Sequence, residues 1–177
     1  MAFFLSTNGQ IHPYNFKYLE GEFEHVRLER TEIHSELSKK MPKKQTLAQK
    51  ESFAINIMNH PVFSLSVNSS LVEIQKLMRD KKIRHIPLTD EQKFIGMISD
   101  RDLLKVEDSG TFIFLKAKNI MTTVVVLVEE ETPVIHIARV LLEENLSALP
   151  VIDKSHKVVG MISRTDILKA VMNNRLY

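Results

Sequence analysis

Cysteine is absent from the 177 residues, which removes disulfide scaffolds, thiolate metal sites and cysteine nucleophiles together. No apolar run approaches the ~20 residues that a membrane-spanning helix needs. The opening stretch MAFFLSTNG has no basic region ahead of its short apolar run, so it does not read as a secretion signal. A cytoplasmic location is the expectation. An excess of either charge is also lacking: 24 Lys and Arg against 22 Asp and Glu leave +2, too little to argue for nucleic acid. The seven histidines include no His-x-His or His-x-x-x-His pair, so no zinc site is indicated. Gly-x-Ser-x-Gly, the phosphate-binding loop and the dinucleotide-binding glycine pattern are all missing. Nothing here marks an enzyme.

What remains is an ordinary globular composition, 44% hydrophobic and 26% charged. A chain of this size buries roughly 70% of its unfolded surface, so it needs neither disulfide nor metal to fold.

The informative feature is an internal repeat. GMISDRDLLK, Gly96 to Lys105, returns as GMISRTDILK, Gly160 to Lys169, with seven of ten positions identical. NIM recurs at Asn56 and Asn119, and RHIPL at Arg84 matches SALPV at Ser147, both at an offset of 63. The offset becomes 64 at the glycine, so the second copy has one extra residue in its Asp153–Lys157 loop. Each copy parses alike. A β-branched stretch, VFSLSV or VVVLV, precedes an amphipathic helix. In the first helix Ser70 and Glu73 form a capping box ahead of Leu71, Ile74, Leu77 and Met78. In the second, Thr132 is the expected cap and Pro133 the first helical residue, ahead of Val134, Ile137, Ala138 and Leu141. Two short strands and a last helix complete the unit. One such unit cannot cover both faces of its sheet, and two together can. The expected fold class is therefore α+β, with two βαββα repeats packed about a pseudo-twofold.

The boundaries follow: an N-terminal extension with a basic linker over 1–50, repeat one over 51–110 and repeat two over 111–177. Within the extension, Asn8-Gly9 predicts a small β-hairpin. Phe23–Leu37 alternates charged and apolar residues, as an exposed strand or a charged helix would. Lys39–Lys44 is a short basic cluster, read as a solvated linker. The extension is too small for its own core and is expected to pack on the repeats or on a partner chain. The 51–177 fragment is expected to fold without it.

At the repeated corner a serine and an aspartate three residues on stand at a helix start. The N–H groups there suit an anion such as phosphate, the carboxylate suits paired ribose hydroxyls, and Ile98 or Ile162 offers an apolar wall for a base. The same Ser-x-x-Asp also serves as a helix cap, and the residues alone leave both roles open.

Residues 57–172 resemble a tandem pair of CBS domains, the module called a Bateman domain, through IM, RHIPL/SALPV and GMISDRD/GMISRTD. The resemblance implies a regulatory ligand-sensing module rather than an enzyme. It needs no cofactor, and an adenine nucleotide such as AMP, ADP or ATP is its ligand. The implied main cleft joins Arg84, His85 and Pro87 to Ser163, Arg164, Thr165 and Asp166. The implied second cleft joins Ser99, Arg101 and Asp102, beside Asp100, to Ser147, Ala148 and Pro150. Its richer cationic lining makes the first the better phosphate site. The resemblance further implies a homodimer and a separate effector protein; no membrane contact is expected, and nucleic-acid binding through the basic Lys39–Lys44 linker stands only as a third reading. The alternative is an assembly module with unoccupied pockets.

Overall fold

The computed structural model describes residues 3–20, 52–107 and 110–173. The charged Phe23–Leu37 segment and the Lys39–Lys44 cluster lie outside these residues.

The chain begins with strands β1 (Phe3–Thr7) and β2 (Gln10–Tyr14), joined by Asn8 and Gly9 at φ 51° and 82°. That is the left-handed pair a tight hairpin turn requires. Repeat one supplies α1 (Ala54–Ile57), β3 (Leu65–Ser66), α2 (Leu71–Lys81), β4 (His85–Asp90), β5 (Lys93–Ser99) and α3 (Asp100–Leu104). Repeat two supplies β6 (Val124–Glu129), α4 (Val134–Glu143), β7 (Ala148–Ile152), β8 (Val158–Ser163) and α5 (Arg164–Met172). The strands form two sheets, β3-β4-β5 and β2-β1-β6-β7-β8. In each repeat the first strand runs parallel to the second, and the second antiparallel to the third.

Local chemistry accounts for most of this. Ser70 Oγ accepts from the Glu73 N–H at 3.2 Å, and α2 then buries Leu71, Ile74 and Met78 while leaving its polar residues outside. Helix α4 buries Val134, Ile137, Val140 and Leu141. It starts one residue later than the sequence suggests, because Pro133 keeps ψ at 134° and occupies the cap position itself. Strand β3 is also shorter than VFSLSV implies, only Leu65–Ser66. The residues ahead of it are drawn into a cavity wall described below.

The two repeats exchange their leading segments. Ala54 N–H and Ile55 N–H donate to the Thr132 and Glu130 carbonyls, and Val134 N–H donates to Ser52, so 52–55 seals the start of α4 in repeat two. In return Ala117 N–H and Lys118 N–H donate to the Ser69 and Val67 carbonyls beside α2 in repeat one. Ala54 and Ala117, at equivalent positions, are both 0% exposed. Further along, Asn59 bridges Met161 while Thr122 bridges Met97. Both glycines of the repeated corner sit under these crossings. A Cβ on Gly96 would stand 2.5 Å from the Thr122 carbonyl oxygen, and one on Gly160 would collide with the Met58 thioether. The glycines are there for space.

The hairpin docks on repeat two. Strand β1 pairs antiparallel with β6 from Phe3↔Val128 to Thr7↔Val124. Phe3, Phe16 and Leu19 join the core around α4, while Phe4 packs with Phe94, Val125 and Leu127 between the sheets. Repeat one has no such addition among the described residues: its sheet stops at the short β3.

Candidate ligand clefts between the repeats

Each GMIS strand runs straight into a helix, and the turn places an aspartate at its third helical position. In repeat two Asp166 Oδ2 accepts from Ser163 N–H at 2.9 Å and from Ser163 Oγ at 2.5 Å. In repeat one Asp102 Oδ2 accepts from Ser99 N–H at 3.0 Å and Ser99 Oγ at 2.7 Å. Both aspartates therefore cap their helices, and both are nearly buried. Capping uses only one carboxylate oxygen. The other, Oδ1, differs between the copies. Lys105 Nζ holds that of Asp102 at 2.8 Å, whereas Lys169 Nζ stands 3.9 Å from that of Asp166, beyond hydrogen-bond reach. Burial raises the Asp102 carboxyl, but the hydrogen bonds from Lys105 and Ser99 outweigh it and hold the group below the usual carboxylate range.

Two cavities open at these corners. The larger, about 600 Å³, brings Arg84 and His85 of β4's start together with Ser163, Arg164, Thr165 and Asp166. This is the main cleft expected from the sequence, with one residue missing. Pro87 is buried in β4 opposite Met97 and lies two residues too deep to line the cavity. Lys82, Arg101 and Lys169 add cationic groups, and Asp100, expected at the second cleft, lines this one instead. The smaller cavity, about 490 Å³, joins Ser99, Arg101 and Asp102 to Ser147 and Ala148. Pro150 is absent from its lining, which reaches along β7 only as far as Ala148 and Leu149. The clefts are not separate, since His85, Arg101, Ser147 and Ala148 line both.

The apolar wall is not the expected one. Ile98 and Ile162 are fully buried in the two cores, because side chains alternate along a strand and these share no face with Ser99 or Ser163. Pro61, Val62, Phe63 and Met161 line the main cleft instead, with Phe63 37% exposed. In the second cleft the equivalent wall is Thr122 and Val124–Val126. These stand 63 residues on from Asn59 and Pro61–Phe63, in the register of the repeat. The offset of the NIM motif therefore carried the signal for both walls. No sequence signal marked Leu5, Tyr14 and Phe16, which reach the second cleft from the hairpin.

Arg164 is partly committed elsewhere. Its Nε donates to the Leu146 carbonyl at 2.7 Å, and one terminal nitrogen donates to the Leu141 carbonyl at 3.0 Å and to Asn145 Oδ1 at 2.9 Å. It thereby closes the C-terminus of α4, where a cation is favoured. Arg84 and Arg101 are exposed. Burial lowers the His85 pKa, Asp100 opposes the shift, and Arg84 and Arg101 reinforce it. These effects together favour the neutral imidazole.

The model of the CBS domain matches this chain twice, over residues 54–109 and 117–173. The chain belongs to the CBS-domain family. Its paired repeats superpose on the CBS domain pair of protein MJ0100, solved with 5′-methylthioadenosine and S-adenosyl-L-methionine. The TM-score is 0.65 and the identity 28%, over 70% of this chain and 98% of that one. The CBS protein CBSX2, solved with AMP, shares the fold at a TM-score of 0.61 and 23% identity, covering 70% of this chain and 98% of that one. Among curated relatives, the L-aspartate semialdehyde sulfurtransferase of Methanocaldococcus jannaschii is 31% identical over 63% of this chain and 22% of its own length. The uncharacterised protein MJ1232 of the same organism is 31% identical over 62% of this chain and 36% of its own. The chain thus spans well under two thirds of either relative, and its match to the sulfurtransferase covers only a CBS-sized part of that enzyme. No helix among the described residues is long and apolar enough to cross a membrane.

Proposed function

We propose that this CBS pair is a regulatory sensor that binds an adenine nucleotide in the main cleft and modulates a separate partner protein. The observation that carries the reading is Asp166. One of its carboxylate oxygens caps α5, the other makes no hydrogen bond shorter than its 3.9 Å ion pair with Lys169, and the residue lines a cleft rich in cations. The free oxygen accepts the paired ribose hydroxyls. The base lies against Pro61, Val62 and Phe63. The phosphates meet Thr165, the start of the nine-residue α5, and the guanidinium of Arg84, where helix dipole and cations act in the same direction. The solved MJ0100 pair, which carries adenosine ligands at 28% identity, supports the ligand class. The nucleotide is a regulatory ligand, not a cofactor, and the module itself has no catalytic role.

The same reading includes a homodimer. Leu104 on α3, with Leu168 and Met172 on α5, are 65%, 63% and 83% exposed, an apolar helical surface of the sort that a second copy covers. Light scattering at micromolar concentration is expected to give twice the chain mass. A monomer at all concentrations would remove this part of the proposal.

Calorimetric titration with AMP, ADP and ATP tests the nucleotide. Saturation at a hundredfold excess over Kd is expected to add ~2.7 kcal/mol of stability, several degrees in Tm for a chain of this size. Asp166→Ala is expected to abolish the shift, and Arg84→Ala to weaken ADP and ATP more than adenosine. If no adenine nucleotide binds while the dimer persists, the assembly-module reading takes its place.

A further inference from the structure

The repeat makes one half of the molecule a reference for the other. The edge of β6 is covered by β1, which pairs along it from Phe3↔Val128 to Thr7↔Val124. On its other side β6 pairs with β7 over only two residues, as β3 does with β4. Residues 61–66 are thus the same stretch 63 residues earlier, without a covering strand among the described residues. Side-chain exposure follows. Val125, Leu127 and Val128 are buried, whereas their counterparts Val62 and Leu65 are half-buried and Ser64 is exposed. On the helix behind, Val140 is fully buried, and its counterpart Leu77 is only partly so.

The other sheet edges are guarded. Thr122 bridges the outer side of β5 and Asn59 that of β8, and Pro13 removes a donor from β2. Strand β3 has no such device. The Leu65 carbonyl accepts from Thr89 Oγ1 at 3.4 Å, and the Val67 N–H donates to the Thr89 carbonyl at 3.0 Å. Both face β4, so the backbone groups of Ser64, one residue out of step, turn outward. At the equivalent position Leu127 stands opposite Phe4 of β1. Charge separates the two edges. Tyr18, which follows the hairpin, donates through Oη to Glu144 Oε1 at 2.9 Å, and Arg139 stands over its ring at 5.5 Å. The counterparts of Arg139 and Glu144 are Lys76 and Lys81, and Lys81 Nζ lies 4.9 Å from the centre of the Phe63 ring. A cation and a carboxylate in repeat two become two cations in repeat one, where a carboxylate suits the place that Tyr18 takes.

We infer that the outer edge of β3 is a docking site for an extended, acidic segment of a separate protein. The segment pairs antiparallel with residues 62–66, sets apolar side chains over Leu65 and Leu77, and reaches Lys76 and Lys81 with a carboxylate. Backbone hydrogen bonds supply the pairing, and the alternate side chains and the two lysines supply the choice of partner. An open edge of this kind accepts any strand that fits, and β1 on β6 shows the geometry that fits. The inference stands apart from the nucleotide reading, since it needs no molecule in either cleft.

The test adds a synthetic peptide, a copy of residues 1–20 carrying Tyr18→Glu, to the full chain. In the chain alone the Ser64 amide is expected to exchange rapidly with solvent, and saturating peptide is expected to remove that rapid exchange. Lys81→Glu in the full chain is expected to weaken the peptide roughly fivefold, the upper end for an exposed ion pair. Ser64→Pro, which deletes the outward N–H, is expected to abolish binding. A Ser64 amide already protected in the chain alone would overturn the inference, because another part of this chain or a second copy would then cover the edge. So would Ser64 exchange unchanged by the peptide, or an affinity indifferent to Lys81→Glu. Equal affinity for the peptide that keeps Tyr18 would assign the edge to the hairpin of a second copy and would overturn it as well.

Discussion

Asp102 and Asp166 occupy equivalent positions in the two repeats and make the same pair of bonds to the preceding serine. Capping takes one carboxylate oxygen in each copy, and the other is held by Lys105 at 2.8 Å in Asp102 but stands 3.9 Å from Lys169 in Asp166. Asp102→Ala and Asp166→Ala are therefore both expected to lower unfolding free energy by about 1 kcal/mol, seen as a lower urea midpoint at unchanged slope. Only Asp166→Ala is expected to lose ADP as well. The two differ in pH dependence too. The Asp102 carboxyl is held below its ordinary value of 3.8 in the folded chain, so its stabilisation is present above that value and is lost as the pH falls through the lower folded one. The stability gap between the unmodified chain and Asp102→Ala is expected to shrink as pH drops from about 5 towards about 2. A gap that stays constant over that range would mean that the Lys105 and Ser99 bonds do not act on the charged form.

At the scale of elements, each helix and strand follows from local pattern, and the departures come where a segment serves the other repeat. VFSLSV reads as a strand throughout, yet only Leu65–Ser66 pairs, because Pro61, Val62 and Phe63 are turned into the main cleft's wall. The crossings make the corner glycines unequal. The obstacle at Gly96 is the Thr122 backbone carbonyl, which accepts from the Met97 N–H while the Thr122 N–H donates back to the Met97 carbonyl. The obstacle at Gly160 is the Met58 side chain, which has rotamers to spare. Gly96→Ala is expected to destabilise by about 1–3 kcal/mol, the usual range for overpacking, and Gly160→Ala by less. Chemical denaturation of the two variants ranks them directly, and the reverse order would show that Met58 is the more rigid neighbour.

Taken whole, the molecule is two interlocked repeats with a third, unrepeated piece added to one side. The hairpin covers an edge of β6 that would otherwise present unpaired backbone groups, and it buries Phe3 and Phe4 to 4% and 6% exposure. Full burial of an aromatic side chain is worth roughly 1.5–3 kcal/mol. The 51–177 fragment retains both repeats and their exchanged segments, so it is expected to fold, but with a Tm lower than the full chain by several degrees. Circular dichroism melts of the two compare them. An unfolded fragment would make the hairpin part of the minimal domain, and an unchanged Tm would show that its docking contributes little.

The sequence by itself determined the repeats, their order of elements, the capped corners and the hairpin turn. These depend on residues within a few positions of one another, or on a copy at constant offset, and so they are written in periods of two, 3.6 and 63. The tertiary structure decided which surfaces meet. It assigned Ala54 to repeat two and Ala117 to repeat one, put Phe63 rather than Ile98 or Ile162 beside the main cleft, and turned Arg164 back onto the carbonyls of Leu141 and Leu146. It also laid the hairpin on β6 and brought Tyr14 to the second cleft. The two sheets offer similar edges and similar apolar faces, so local pattern cannot choose between them. That choice is made by packing, which here fits a crossing segment over each corner glycine and buries Phe3 and Phe4 of the hairpin.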